Sequence, residues 1–198
     1  MTDVRVAETA ALFDSSAAYY DRVNSVICLG ADVRWRRWAA QRALASVPAR
    51  KPTASGPDMS LAPRGLDAFG GTGLVALELA RRCAHVTLAD VSPVMMRIAR
   101  GRAERCGLPL ETVAADLTSK SAAELPGAPY DAITVAFGLR YVDDPVGLLR
   151  SLGAALAPGG TIVVLEAVVP RGGLLAALAG AYFFDVAPLV GTLLAGRG

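Results

Sequence analysis

The sequence predicts an α/β protein: a doubly wound, mainly parallel sheet with a helical cap at its N-terminus. Two observations predict it. From Arg64 onward, short runs of β-branched and apolar residues alternate with helical stretches of roughly 10–15 residues, the pattern left by parallel strands joined through crossover helices. Helix starts are also chemically marked, because Ser92-Pro93 and Asp144-Pro145 each place a capping side chain ahead of a proline at the first helical position.

Residues 1–47 read as the cap. Glu8 to Val47 is helical in pattern, with a break at Leu29-Gly30-Ala31 and Asp32 expected to cap the helix that follows. On that helix Trp35, Trp38, Gln41 and Arg42 share one face, and Arg34, Arg36 and Arg37 form a basic cluster. Residues 48–63 carry Pro48, Pro52, Pro57 and Pro63 with Gly56, which marks a linker. The core is expected over 64–170, with strands at 64–69, 85–90, 110–115, 130–137 and 160–168 and a helix stop at Pro158-Gly159-Gly160. Residues 171–198 form an apolar tail. Leu174 to Ala195 is long enough to raise the question of a membrane span, but Asp185 and Pro188 interrupt it, so helices lying at an interface are the favoured reading.

Composition narrows the function classes. The chain has 198 residues with 20 basic and 18 acidic side chains, too near balance for a nucleic-acid binder. At 53% hydrophobic it is not a disordered segment. Cys28, Cys83 and Cys106 form no CxxC pair and His85 is the single histidine, which argues against a disulfide framework or a zinc site. With no signal-peptide pattern at the start, a reducing cytoplasmic compartment is expected.

The chemistry gathers at the ends of the predicted strands. The first strand runs into Asp67-Ala68-Phe69-Gly70-Gly71-Thr72-Gly73-Leu74, where glycines let a ligand approach the backbone and the next helix presents its N-terminal amides. Asp90 ends the second strand, where a carboxylate can accept both hydrogen bonds of a ribose diol. Together they point to an adenosine-containing ligand; a tight turn with a capping aspartate is the plainer alternative. Asp67 would repel a pyrophosphate and attract an ammonium, which favours S-adenosylmethionine over a dinucleotide. Asp116, after the third strand, is placed either to accept from an adenine amino group or merely to cap its loop.

The blocks FDSSAAYYDRVNSVICLGADVRWRRWA, LDAFGGTG, LADVSPVMM, AFGLRYVDDP, LAPGGTIVVLEAVVP and AYFFDVAPLVGTLLAG resemble, in order and along nearly the whole chain, the ubiquinone/menaquinone biosynthesis C-methyltransferases. The resemblance implies a Rossmann-like class I methyltransferase fold, S-adenosylmethionine as cofactor, and methylation of a ring carbon of a prenylated quinol such as demethylmenaquinol. It implies cofactor contacts at Asp67, Gly71, Thr72, Gly73, Asp90, Val91, Asp116 and Leu117. It also implies that Tyr20 and Asn24, in the YDxxN element, and Arg140, in FGLR, cover the cofactor or face the substrate. Arg140 would stabilise a phenolate, or else simply pair with Asp143 or Asp144. Tyr20 or Asp21 would relay the proton, and His85 is expected away from the pocket mouth.

Four departures qualify the resemblance. Leu74 stands where the family turn reads GTGD, Phe69 where a small residue is usual, and Tyr141 where FGLRN has asparagine. The chain also ends after GRG, short of the family's final helix and antiparallel strand pair, so an exposed fifth strand, or one covered by a tail segment, a second copy or a partner, is expected. Other readings are a methyltransferase of another small phenolic acceptor, a non-catalytic partner protein of the same fold, and a nicotinamide-dependent oxidoreductase reading GxGxxA from Gly71. Asp67 and the lack of a Tyr-x-x-x-Lys pair argue against the last. A basic, Trp-bearing helix suits peripheral contact with the inner face of a membrane; an ordinary solvated face is the alternative.

Overall fold

The computed structural model describes residues 3–47, 62–168, 172–182, 186, 187 and 189. Most of the expected linker and much of the expected tail, Asp185 and Pro188 included, lie outside these residues. Three helices come first, α1 (Asp3–Ser16), α2 (Tyr20–Ile27) and α3 (Ala31–Ala43). The core runs β1 (Arg64–Ala68), α4 (Leu74–Ala80), β2 (His85–Asp90), α5 (Pro93–Cys106), β3 (Glu111–Ala114), β4 (Tyr130–Ala136), α6 (Pro145–Ala154) and β5 (Leu156–Leu165), followed by α7 (Gly173–Ala181).

The sheet has the order β3-β2-β1-β4-β5 with every pairing parallel. The two-residue strand period divides the core into two halves. Leu66, Ala68, Ile133 and Val135 point to one face and pack against Leu148 and Leu152 of α6. Val86, Leu88 and Ala132 point to the other and meet Ala40 and Ala43 of α3, Leu79 of α4 and Ala99 of α5. Strand order reverses between β2 and β4 across β1, and in sheets of this kind the crevice at the carboxyl ends of the strands beside that switch is where ligands bind.

Helix starts follow their sequence signals. Ser92 Oγ accepts from Met95 N at 3.1 Å and Asp144 Oδ1 from Gly147 N at 2.8 Å. Gly73 begins α4 at φ +81°, and a Cβ there would lie 2.7 Å from Ala99 Cβ, so both conformation and space exclude a side chain.

Three expectations are corrected. Asp32 does not cap α3: Gly30, at φ +75°, occupies that position, and Asp32 is buried inside the helix, bonded to Arg36. Arg36 accordingly leaves the basic cluster, being buried while Arg34 and Arg37 stay exposed. Pro158-Gly159-Gly160 does not stop α6, which has ended at Ala154; it lies inside β5, which starts at Leu156 and shifts register between Tyr130 and Ala132 of its partner. Among the described residues no strand pairs with the outer side of β5.

Asp67 ties three elements together. Its Oδ2 accepts from Ala76 N in α4 at 2.9 Å and its Oδ1 from Thr134 Oγ1 in β4 at 2.8 Å. Burial pushes its carboxyl up to about 7, against the two hydrogen bonds that favour the charged form. A carboxyl with a folded value above the unfolded one, near 3.9, contributes stability that is full below about pH 4 and is lost as pH rises through about 7. Asp67→Asn preserves shape, since an amide can accept from Ala76 N and donate to Thr134 Oγ1. Urea unfolding from pH 4 to 8 is therefore expected to show a decline between pH 4 and 7 that is larger in the wild type than in Asp67→Asn.

Candidate functional site

At the carboxyl ends of β1, β2 and β4, three adjoining hollows share Tyr20 and Phe137 as common walls. One, of about 70 Å³, lies among Gly71, Asp90, Val91, Met95 and Asp116. A second, of about 50 Å³, reaches Asp67, Thr72 and Leu74. The third and largest, about 480 Å³, opens beyond Tyr20 toward Asn24, Asp32, Arg36 and Arg140.

The glycine turn is held from β2. Gly71 N donates to Asp90 Oδ2 at 2.8 Å, and Ser92 N donates to Asp90 Oδ1 at 2.9 Å. Each carboxylate oxygen has two lone pairs, so both can accept a further donor. Burial raises the Asp90 carboxyl, opposed by its backbone hydrogen bonds. A Cβ built on Gly71 would meet nothing within 4 Å, so the turn faces open space at that point. Val91 and Met95 supply a flat apolar wall. Asp116 Oδ1 accepts from Thr118 N at 2.9 Å and Thr118 Oγ1 at 2.6 Å, so it caps its loop while lining the same hollow.

Phe69 and Phe137 leave β1 and β4 in the left-handed region, both at φ +59°. This conformation costs an ordinary residue on the order of 1–3 kcal/mol and accumulates at ligand sites. It turns both rings into the hollows. Gly138 is the complement of this, because a Cβ there would lie 2.6 Å from Phe69 Cβ.

The N-terminal helices close the site through half-buried polar bonds. Asp21 of α2 accepts from Thr72 Oγ1 at 2.8 Å and pairs with Arg102 at 2.7 Å, while Arg102 also donates to Thr72 O. Asp14 of α1 accepts from Ser92 Oγ and from Val94 N at the start of α5. The Phe13 ring stands edge-on to both Tyr20 and Tyr141. Burial raises the Tyr20 hydroxyl, its hydrogen bond with Asn24 acting the other way.

Of the residues singled out from sequence, Tyr20, Asp67, Gly71, Thr72, Asp90, Val91 and Asp116 line the two smaller hollows, and Tyr20, Asn24 and Arg140 the largest. Gly73 shapes the turn from below. The Leu117 side chain does not join them: it is packed in the core on the α6 face. Asp21 lines the smallest hollow, bonded to Thr72 and paired with Arg102. Arg140 pairs with Glu166, beyond β5, rather than with Asp143 or Asp144 as its alternative reading had it. His85 lies away from the hollows, beside Thr87 and Glu111. Sequence reasoning missed Phe137, Glu166 and the Asp32–Arg36 pair as site residues. An opposite-charge pair four residues apart, in step with Ala39, Ala40 and Ala43, was the available signal for the last.

Comparison with known proteins gives a consistent assignment. The model of the ubiE/COQ5 methyltransferase family matches residues 1–197. The chain is 38% identical over 188 residues to the demethylmenaquinone methyltransferase of Thermus thermophilus, covering 94% of this chain and 78% of that protein. It is 32% identical over 199 residues to the ubiquinone/menaquinone biosynthesis C-methyltransferase UbiE of Shewanella frigidimarina, covering 97% and 72%. Among solved structures, S-adenosylmethionine-bound CalS10, an amino pentose methyltransferase from Micromonospora echinaspora, is similar with TM-score 0.52 and 26% identity. That match covers 71% of this chain and 54% of the solved one, so this chain spans about half its length.

If Asp21 is what fastens α2 to the glycine turn, Asp21→Asn removes one half-buried ion pair and loosens the cap without touching the sheet. Hydrogen exchange followed by mass spectrometry is expected to speed up about tenfold or more in 20–27, the scale of a charged hydrogen bond lost. Exchange in β1, β2 and β4 is expected to stay unchanged; equal acceleration across the sheet would refute a local fastening.

Proposed function

Since this chain belongs to the ubiE/COQ5 methyltransferase family, we propose that it transfers the methyl group of S-adenosylmethionine to a ring carbon of a prenylated quinol such as demethylmenaquinol. The enzyme class is an S-adenosylmethionine-dependent methyltransferase on the Rossmann-like fold of that class. One arrangement supports the quinol acceptor: the large cleft is walled by the rings of Tyr20, Phe137 and Tyr141, carries the Arg140 guanidinium, and shares those three rings with the hollow beside Asp90. A flat ring in the cleft would thus lie against the same side chains as the methyl donor.

The residues present fit the cofactor. Asp90 keeps lone pairs for a ribose diol, Gly71 leaves open space at the turn, and Val91 and Met95 offer a flat apolar wall for a base with Asp116 nearby. Asp67 and the amides of the α4 turn define the end suited to an amino-acid group. When bound, S-adenosylmethionine supplies an electrophilic methyl group on a positively charged sulfur.

The protein's part is positioning, electrostatics and exclusion of water. Phe13, Tyr20, Phe69, Phe137 and Tyr141 surround the shared wall and keep it dry. Arg140, oriented by Glu166, places a guanidinium at the cleft, where it would stabilise the negative charge on a deprotonated ring hydroxyl. Tyr20, which lines both the cleft and the cofactor hollows, is hydrogen-bonded to Asn24 in the cleft, and the two would hold the ring oxygen in register. The ring carbon so activated would take the methyl group as its bond to sulfur breaks, leaving S-adenosylhomocysteine, and its ring proton would then pass to bulk solvent through the open cleft, restoring aromaticity.

A prenylated acceptor lives in a bilayer, and among the described residues no helix is long and apolar enough to cross one. Contact is therefore proposed through the outer face of α3, where Val33, Trp35 and Trp38 are exposed beside Arg34, Arg37 and Arg42. Sedimentation with vesicles is expected to recover more protein on anionic than on zwitterionic lipid, and Trp35→Ala with Trp38→Ala to abolish the difference. Equal recovery of wild type on both lipids would rule out this contact.

Calorimetry with S-adenosylmethionine and S-adenosylhomocysteine tests the cofactor reading. Asp90→Ala removes both ribose acceptors and the anchor of Gly71, so saturable binding is expected to weaken by about a hundredfold or more. Folded wild-type protein that binds neither ligand would refute the enzymatic reading. Binding without methyl transfer to demethylmenaquinol would redirect the search to other phenolic acceptors.

A further inference from the structure

The large cleft contains a polar group that the mechanism above leaves unused. Asp32 is 1% exposed and lines that cleft. Its Oδ2 accepts from Arg36 Nη1 at 2.6 Å, whereas its Oδ1 is buried with no hydrogen-bond partner, a state it shares among the described residues only with Glu166 Oε2. A buried carboxylate oxygen without a donor is costly, and such atoms in folded proteins call for an explanation. Capping does not supply one, since Gly30 holds the position before α3. Asp32 is also the single carboxylate among the described residues that line the cleft; the other polar side chains there are Tyr20, Asn24, Cys28, Arg36, Arg140 and Tyr141.

We propose that Asp32 Oδ1 accepts a hydrogen bond from a hydroxyl of the acceptor ring and so selects the ring in its reduced, hydroxyl-bearing form. The inference rests on the quinol reading and deepens it. A carboxylate is an acceptor only, so it welcomes an O–H and opposes a carbonyl or ether oxygen at the same point. Arg36 fixes which oxygen is left over: with Oδ2 committed to the guanidinium, Oδ1 alone remains. Arg36 lines both the cleft and the hollow at the glycine turn, so the pair also relates the ring's hydroxyl to the methyl-donor side. A site built to pair a hydroxyl discriminates strongly against analogues lacking it, because its own buried group is then left unpaired.

The test uses two stable probes, 1-naphthol and 1-methoxynaphthalene, whose rings match but whose oxygen donates in the first only. Dissociation constants are measured by fluorescence with S-adenosylhomocysteine present. Wild-type protein is expected to prefer 1-naphthol by about tenfold or more, the scale of a charged hydrogen bond. In Asp32→Asn the amide oxygen turns to Arg36 and the amide N–H₂ faces the cleft, so the preference is expected to vanish or reverse. Affinity for S-adenosylhomocysteine should stay within about twofold, which a general loss of structure would not allow. Should Asp32→Asn not fold, Asp32→Asn with Arg36→Gln provides a neutral hydrogen-bonded pair for the same measurement. A tenfold preference that survives the substitution overturns the role of Asp32 while leaving the quinol reading intact if wild type methylates demethylmenaquinol. Wild type that favours neither probe overturns the inference, and absence of methyl transfer as well overturns the quinol reading with it.

Discussion

The site depends on a buried carboxylate at the end of the central strand. Asp67 faces away from Leu66 and Ala68, out of the α6 half of the core, and so lies beneath the first turn of α4. Without its bond to Ala76 N, an amide in that turn would have lost its partner in a dry interior. Without its bond to Thr134, β1 and β4 would lack their side-chain tie at the strand ends. Asp90 does from β2 what Asp67 does from β1, holding Gly71 and, through Ser92, the start of α5. The two acids thereby set the positions of two helix N-termini around one crevice, and helix N-termini favour negative or hydrogen-bond-accepting ligand groups.

The cap converts that crevice into enclosed space. Its main bonds run to the same places that Asp67 and Asp90 organise: Asp21 to Thr72, Asp14 to Ser92 and Val94. Closing the site therefore consolidates the glycine turn rather than merely covering it. Aromatic rings do the rest, with Phe13 against Tyr20 and Tyr141, and Phe69 and Phe137 in strained conformations that only tight surroundings sustain. In this light two departures from the family pattern, Phe69 and Tyr141, belong to a common aromatic enclosure. Leu74, the third, adds an apolar wall to the smallest hollow where a carboxylate is usual.

How far the sequence could be read follows from which forces are local. Strand and helix types came through because the two-residue period, the Ser-Pro and Asp-Pro caps and the glycine turn each act within a few residues. The beginning of β5 did not, since Pro158-Gly159-Gly160 has the composition of a stop and only pairing with β4 pulls it into the sheet. Asp90, Gly71 and Asp116 were legible as a group because all lie at or just past the ends of predicted strands, and parallel strands bring their ends together. Leu117 was misplaced for a related reason: next to a site residue in sequence, it points the opposite way.

Asp32 and Arg36 mark where local reasoning fails most instructively. An aspartate two residues after Gly30 has every feature of a helix cap, and an arginine between Trp35 and Arg37 has every feature of a solvated basic face. Both readings assume that the helix presents those positions to water. Packing of α3 through Ala39, Ala40 and Ala43 instead turns the stripe that begins at Asp32 and Arg36 inward. Two opposite charges placed in such a stripe must neutralise each other, and they do, but one oxygen remains over. A fold tuned for stability alone would have filled this place with apolar side chains at no loss. That it carries a half-satisfied ion pair at the wall of a cleft is most simply explained by a donor that comes with the substrate.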